Sequence, residues 1–180
     1  MGSIRAGLFI SLDGVTEAPD EWHFGWFNDE MGAAVGAQLA AADALLLGRL
    51  TYDGFAGYWP TADPADPMTV QFNEFRKYVV STTLTDPTWN NSVVVSGDVR
   101  AELLALKETT NLGVTGSVAL VRWMLQERLV DELHLMVHPV ALGKGGKLFD
   151  DGTNVPLRLI SSTAFTTGVV HLVYGPADEA

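Results

Sequence analysis

Apolar residues fall into short runs rich in valine, isoleucine and leucine, and these alternate with longer stretches of helical spacing. Residues 4–10 read as a first strand, stopped by the turn dipeptide Asp13-Gly14. Met31, Val35 and Leu39 recur four apart and predict a helix over residues 29–42, with Asn28 as its N-cap. Residues 44–47 read as a short buried strand closed by Gly48, and residues 51–56 as a helical turn. A segment carrying Pro60, Asp63, Pro64, Asp66 and Pro67 reads as loop, followed by a helical stretch over 70–76.

The second half repeats the alternation. Strands are predicted over residues 77–81, 92–96, 112–115 and 132–138, the last ended by Pro139, with helices over 99–108 and 118–129. Residues 157–164 and 169–174 read as a closing antiparallel pair around a turn at 166–168. Strand–helix–strand spacing favours parallel crossovers on a sheet covered on both faces. The expectation is one three-layer α/β/α domain over residues 1–180, its sheet mixed but mostly parallel, with a C-terminal antiparallel hairpin.

Composition narrows the function classes. The 180 residues contain no cysteine, which removes disulfides, thiol nucleophiles and cysteine-ligated metals. A net charge of −11 disfavours nucleic acid, whose phosphates need a basic footprint. The first residues lack the pattern of a cleavable leader, and no apolar run reaches the roughly 20 residues that span a bilayer. A cytoplasmic protein acting on a small molecule, without membrane or nucleic-acid partners, is expected. His23, His134, His138 and His171 show no metal-ligand spacing and read as sheet or core residues, so no metal is expected.

In an open α/β sheet, ligands gather beyond the carboxyl ends of strands, near the point where crossovers diverge. Three predicted strand ends carry residues suited to an anion: Gly48-Arg49-Leu50-Thr51, Ser81-Thr82-Thr83 and Gly116-Ser117. They offer backbone amides, hydroxyls and one guanidinium, and Ser117 sits where a helix begins. Neither GxGxxG nor GxxxxGK[ST] is present. From the residues alone, the chain is an α/β protein that binds something phosphorylated.

The segments Ser11-Leu12-Asp13-Gly14 and Ala42-Asp43-Ala44-Leu45-Leu46-Leu47-Gly48-Arg49-Leu50-Thr51-Tyr52 resemble the dihydrofolate reductase superfamily. The similarity is greatest to the branch that includes the reductase domain of the bacterial riboflavin-biosynthesis deaminase–reductase. Gly116-Ser117, Leu129-Val130-Asp131-Glu132-Leu133, Pro139-Val140, Leu142-Gly143, Gly145 and Leu148-Phe149 are similar to that branch's long signature. The resemblance implies a dihydrofolate-reductase-like fold, an NADPH-dependent reductase and a homodimer. It implies that Gly48, Arg49 and Thr51 hold the NADPH phosphates, that Ser81 and Thr82 approach the adenine ribose, and that Gly116, Ser117 and Val118 line the diphosphate. Asp13 and Gly14 would belong to the loop closing over the nicotinamide.

Reduction needs a proton donor beside the hydride acceptor. Asp13, Glu17, Asp29 and Glu30 flank the expected cleft, and Asp13 is taken first. Trp22, Trp26, Glu30 and Tyr52 are the expected substrate contacts, with Phe24 and Phe27 in the same aromatic run and Phe55, Tyr58 and Trp59 across the cleft. Two departures matter. Position 118 is valine where glycine is common, and Asp66-Pro67-Met68-Thr69 only faintly echoes the stretch whose arginine meets the substrate's ribose phosphate. No arginine follows until Arg76, and Glu30 is merely near the place of a pterin-binding carboxylate. A phosphorylated riboflavin precursor and a folate therefore both stay open as substrates. A nucleotide-binding sensor without turnover and a purely structural protein on the same fold are the competing readings.

Overall fold

A computed structural model describes residues 1–149 and 152–177. The expected domain over 1–180 thus extends to residues 150, 151 and 178–180, which lie outside the described residues.

Eight strands form one sheet in the order β4-β3-β2-β5-β1-β6-β8-β7. The strands are β1 (Ile4–Ser11), β2 (Ala44–Gly48), β3 (Arg76–Val80), β4 (Ser92–Val95), β5 (Leu112–Thr115), β6 (Glu132–His138), β7 (Leu157–Ala164) and β8 (Val170–Pro176). The first six run parallel, and β8 then pairs antiparallel with both β6 and β7. The expected mixed sheet and closing hairpin are present. The turn between β7 and β8 is closed by Gly168, whose φ of 87° lies in the left-handed region that glycine enters without strain.

Among the described residues five α-helices cover the sheet: α1 (Asp29–Ala40), α2 (Arg49–Tyr58), α3 (Pro67–Glu74), α4 (Val99–Lys107) and α5 (Val118–Gln126). The layering follows from alternation along β2. Leu45 and Leu47 pack with Leu39 of α1, Tyr52 of α2 and Phe72 of α3. Ala44 and Leu46 point to the other face, among Leu103 of α4 and Leu120, Val121 and Met124 of α5. A strand buried on both faces reads as an unbroken apolar run, as residues 44–47 do. Further along the first face, Met31 of α1 packs on Met136 of β6, with Phe165 and Val169 beside it.

Local chemistry explains where most helices start. The Asn28 side chain accepts from the Met31 amide at 3.0 Å and caps α1 as expected. The Asp98 carboxylate does the same for α4. Two helix starts differ from expectation. Helix α3 begins at Pro67 instead of residue 70, because proline's fixed φ suits a first helical position and the Asp66 carboxylate accepts from the Met68 amide. Helix α2 begins at Arg49 instead of residue 51, directly after an extended Gly48, so Arg49 joins Thr51 in the first helical turn. No helix of the described residues is long and apolar enough to cross a membrane.

Candidate active site

The crossovers from β1 and β5 leave on opposite faces of the sheet and travel to opposite sides, through α1 to β2 and through α5 to β6. The carboxyl ends of these neighbours mark the switch point, where an open α/β sheet leaves a crevice. Pairing of β1 with β5 stops at Gly7 and Thr115, whereas β1 continues along β6 as far as Ser11 and His138. Residues 8–11 therefore flank the crevice.

Gly48, Ser81 and Gly116-Ser117 end or follow three adjacent parallel strands and share one edge of the sheet. Gly48 lies opposite Val80, the residue before Ser81. Two hydrogen bonds tie the tips of β2 and β5 together. The Gly48 amide donates to Ser117 Oγ at 2.8 Å, and the Ser117 amide donates to Thr51 Oγ1 at 2.9 Å. Gly116 and Ser117 both hold left-handed backbone, with φ of 68° and 58°. A Cβ on Gly116 would sit 3.3 Å from Thr51 Cγ2, so the close approach of α2 and β5 needs glycine there.

This knot has an electrostatic consequence. Ser117 Oγ accepts from Gly48 and makes no side-chain cap to α5, and Gly48 has no side chain to cap α2. Two helix N-termini without side-chain caps thus converge on one edge, each presenting first-turn amides and a positive dipole end. Arg49 stands in the first turn of α2, its Nε 2.7 and 2.9 Å from the two carboxylate oxygens of Asp53. The pair is half-exposed, and its guanidinium has further N–H groups beyond Nε.

Ser81 is buried and its Oγ accepts from the amides of Thr83 and Leu84, shaping the turn after β3, while Thr82 is exposed. Val118 opens α5, and Gly14, at φ 88°, turns the loop after β1. Tyr52 is placed away from substrate. Its ring is buried with Leu45 and Leu47, and its hydroxyl accepts from the Trp89 amide at 3.0 Å, so the expectation of a substrate contact is corrected to a core role.

Asp13 is corrected for a different reason. Its carboxylate accepts from Ser11 Oγ at 2.6 Å and from the amides of Leu142 and Gly143 at 3.0 and 2.8 Å. These donors, Ser11 foremost, hold it well below the ordinary carboxylate range. A lowered pKa disfavours proton donation, and the contacts fasten the loop after β1 to the loop after β6. Glu30 is similarly engaged. Thr166, through hydroxyl and amide, and then Asn28 donate to it and lower its pKa, tying the start of α1 to the β7–β8 turn.

Trp22 and Trp26 do come together at the crevice, around a residue set aside on sequence grounds. His138, wholly buried at the end of β6, meets both indoles edge-on at ring separations of 5.1 and 5.9 Å. His23 is stacked on Phe9 at 4.4 Å and lies 6.1 Å from the His138 ring. Burial lowers the pKa of both histidines. The available signal was position: His138 closes a strand, and His23 sits inside the aromatic run of residues 22–27. Among the described residues no cluster of side chains has metal-ligand geometry.

Known proteins place this arrangement. The model of the RibD C-terminal domain matches residues 3–171. Over 178 residues the chain is 29% identical to the uncharacterized protein YyaP of Bacillus subtilis, covering 93% of this chain and 91% of that one. Among solved structures, a putative riboflavin biosynthesis protein from Shewanella sp. PV-4 superposes with a TM-score of 0.79 at 20% identity, covering 99% and 100% of the two chains. Dihydrofolate reductase from Enterococcus faecalis, solved with NADP(H), gives a TM-score of 0.65 at 14% identity over 98% of each chain. With a match spanning nearly its whole length, and the dihydrofolate-reductase-like sheet order described above, the chain belongs to the RibD C-terminal domain family.

Proposed function

We propose that this protein is an NADPH-dependent reductase that transfers hydride to a small heterocyclic or imine-type substrate, as a riboflavin-pathway reductase or a dihydrofolate reductase would. The observation that carries the reading is the pair of uncapped helix N-termini at the tips of β2 and β5, with Arg49 beside them. A dinucleotide's diphosphate fits two converging positive dipole ends, and a guanidinium in the first turn adds a charge-assisted donor. Gly48, Arg49, Thr51, Gly116, Ser117 and Val118 would hold the phosphates, with Ser81 and Thr82 shaping the adjoining edge toward the ribose. Because the Ser117 amide is already given to Thr51, the diphosphate would rest on the first-turn amides of α2 and α5 instead.

When bound, the nicotinamide supplies the hydride. The chain's own work is to orient it across the switch point and to exclude water with the aromatic residues near β1. Asp13 and Glu30, both held ionised by their donors, would shape the loops without delivering the proton. The homodimer expected from the family is part of this proposal, and light scattering tests it.

Titration by tryptophan fluorescence provides the direct check. Quenching by NADPH at lower concentration than by NADH supports the cofactor assignment, and loss of nicotinamide absorbance on adding an acceptor supports turnover. No response to either nucleotide would reject the reading.

A further inference from the structure

We propose that His134 and His171 form a proton-sensitive latch between the parallel sheet and the C-terminal hairpin: the pair closes on one shared hydrogen, and acid opens it by charging both rings. The inference does not depend on the reductase reading and uses none of the residues assigned to the cofactor.

Strand β6 is the last of the parallel strands and β8 pairs with it antiparallel, so their contact is the seam at which the hairpin joins the sheet. His134 lies opposite Val173 and Met136 opposite His171, which sets the two histidines diagonally across the seam on one face. His134 Nδ1 is 3.1 Å from His171 Nε2, and the ring centres are 5.3 Å apart with planes inclined by 28°. The centres are farther apart than the nitrogens by about the rings' own radii, so the rings meet tip to tip. On its other side His134 Nε2 is 3.1 Å from Glu132 Oε2, and Arg5 Nε is 3.4 Å from the same oxygen.

The hydrogens of this chain can be counted. A carboxylate only accepts, so His134 Nε2 carries a hydrogen and its Nδ1 accepts from His171 Nε2. One added proton enters at His171 Nδ1 while the seam hydrogen passes to His134. The charge then rests beside Glu132, and the hydrogen bond survives with its direction reversed. A second proton sets N–H against N–H and two like charges 3.1 Å apart. The pair therefore titrates as a unit, in two steps.

The surroundings favour the neutral form. Burial, the largest cause, lowers the pKa of both rings; Glu132 opposes it at His134, Arg5 adds to it there, and His134 adds to it at His171. Arg158 of β7, opposite Gly175, brings a further cation to this face, whereas Ser161 and Thr163 are neutral. Helix α1 has no titratable side chain between residues 31 and 40. The Phe165 ring lies 6.1 Å from His171, and His138 sits beyond Met136 along β6.

Little else holds the hairpin. None of the residues of β7 is buried, and β8 buries Val173 and Gly175. An element with so little buried surface opens locally at lower cost than the centre of a sheet. Its turn also walls the crevice. Phe165 and Val169 pack with Met31 and Met136, Trp26 and Phe9 lie against them, and the Thr166 amide donates to Glu30 at the start of α1. Unlatching unseats that wall while the other strands stay paired.

Once the hairpin opens, both imidazoles titrate near the ordinary value of about 6.5, whereas the latched pair admits one proton. Opening therefore takes up protons and becomes easier as pH falls below that value. Amide hydrogen exchange of the full chain, corrected for its intrinsic pH dependence, tests this. Between pH 7.5 and 5.5, residues 157–176 are expected to lose at least about tenfold in protection relative to β2–β5, the effect of one proton taken up one pH unit below its pKa. His171→Gln keeps an N–H for His134 but takes no proton, and its relative loss is expected to stay under about threefold. Imidazole NMR of the wild type is expected to show His134 and His171 titrating in two steps more than about one pH unit apart. Uniform loss of protection across the sheet, undiminished loss in His171→Gln, or two independent titrations at the ordinary value overturns the proposal. The wild-type titration decides the question even where His171→Gln does not fold.

Discussion

Ser117 Oγ accepts a hydrogen bond from the Gly48 amide at 2.8 Å and thereby leaves α5 without its side-chain cap. The contact joins strand tips 69 positions apart in the chain and sets the spacing of two helix N-termini. Ser117→Ala leaves the partly buried Gly48 amide unsatisfied. The expected loss is about 1 kcal/mol of stability. If the spacing matters for a diphosphate, NADPH affinity falls about fivefold, equivalent to about 1 kcal/mol. Chemical denaturation and fluorescence titration of one preparation read both effects.

Arg49→Ala separates cofactor binding from folding. The Arg49–Asp53 pair is an exposed i,i+4 contact, and such pairs contribute about 0.3–0.5 kcal/mol. A guanidinium–phosphate contact is worth about 1.5–3 kcal/mol, or roughly 10- to 150-fold in affinity. The variant is expected to unfold near the wild-type midpoint and to bind NADPH much more weakly. An unchanged NADPH titration would remove Arg49 from the site.

Asp13 makes a pH-dependent clasp. Its pKa is depressed in the folded state, so the ionised form stabilises the protein above the unfolded carboxylate value of about 3.9. That contribution is lost as pH falls below this value toward the lower folded one. Asp13→Asn places an amide group against backbone donors at Leu142 and Gly143 and is expected to lower the thermal midpoint at pH 7. The gap between variant and wild type should narrow below about pH 4. A gap that stays constant from pH 7 to pH 3 would contradict the clasp.

Lys77 behaves in the opposite sense. It is wholly buried on the face of the sheet that α1, α2 and α3 cover, its Nζ donating to the carbonyls of Asn73 and Asn90 at 2.8 and 3.2 Å and lying 4.1 Å from the Trp89 ring centre. Burial lowers its pKa to about 8. Between pH 8 and the unfolded value of about 10.4 the unfolded chain binds more protons, so stability attributable to Lys77 rises with pH. Denaturation at pH 7.5 and pH 10 should show wild type gaining on Lys77→Met by up to about 3 kcal/mol. A constant difference between the two proteins would show that Lys77 stays charged throughout.

Much of the architecture was legible in the chain because it depends on near neighbours. The run Ala44 to Leu47 announces a strand buried on both faces, and Met31, Val35 and Leu39 announce the helix that covers one of them. The edge carrying Gly48, Ser81 and Gly116 could be read as well, since parallel crossovers bring every strand end in such a unit to the same side. The start of α3 at Pro67 was less visible, because proline ends one pattern and begins another with the same residue.

What a side chain does at that edge was decided elsewhere. Asp13 met its neighbour Ser11 and two amides 129 and 130 positions away, and together they lower the pKa of a candidate acid. Tyr52 was drawn into the core by the Trp89 amide, 37 positions on. His23 and His138 look like ordinary sheet residues until the fold sets them in one aromatic cluster with nitrogens unpaired. Sequence alone determined the strands, the helices and the sheet edge that carries Gly48, Ser81 and Gly116, since periodicity and turn chemistry act over a few residues. Only tertiary structure decided protonation, burial and partnership, because desolvation and hydrogen bonding depend on which distant atoms arrive beside a group.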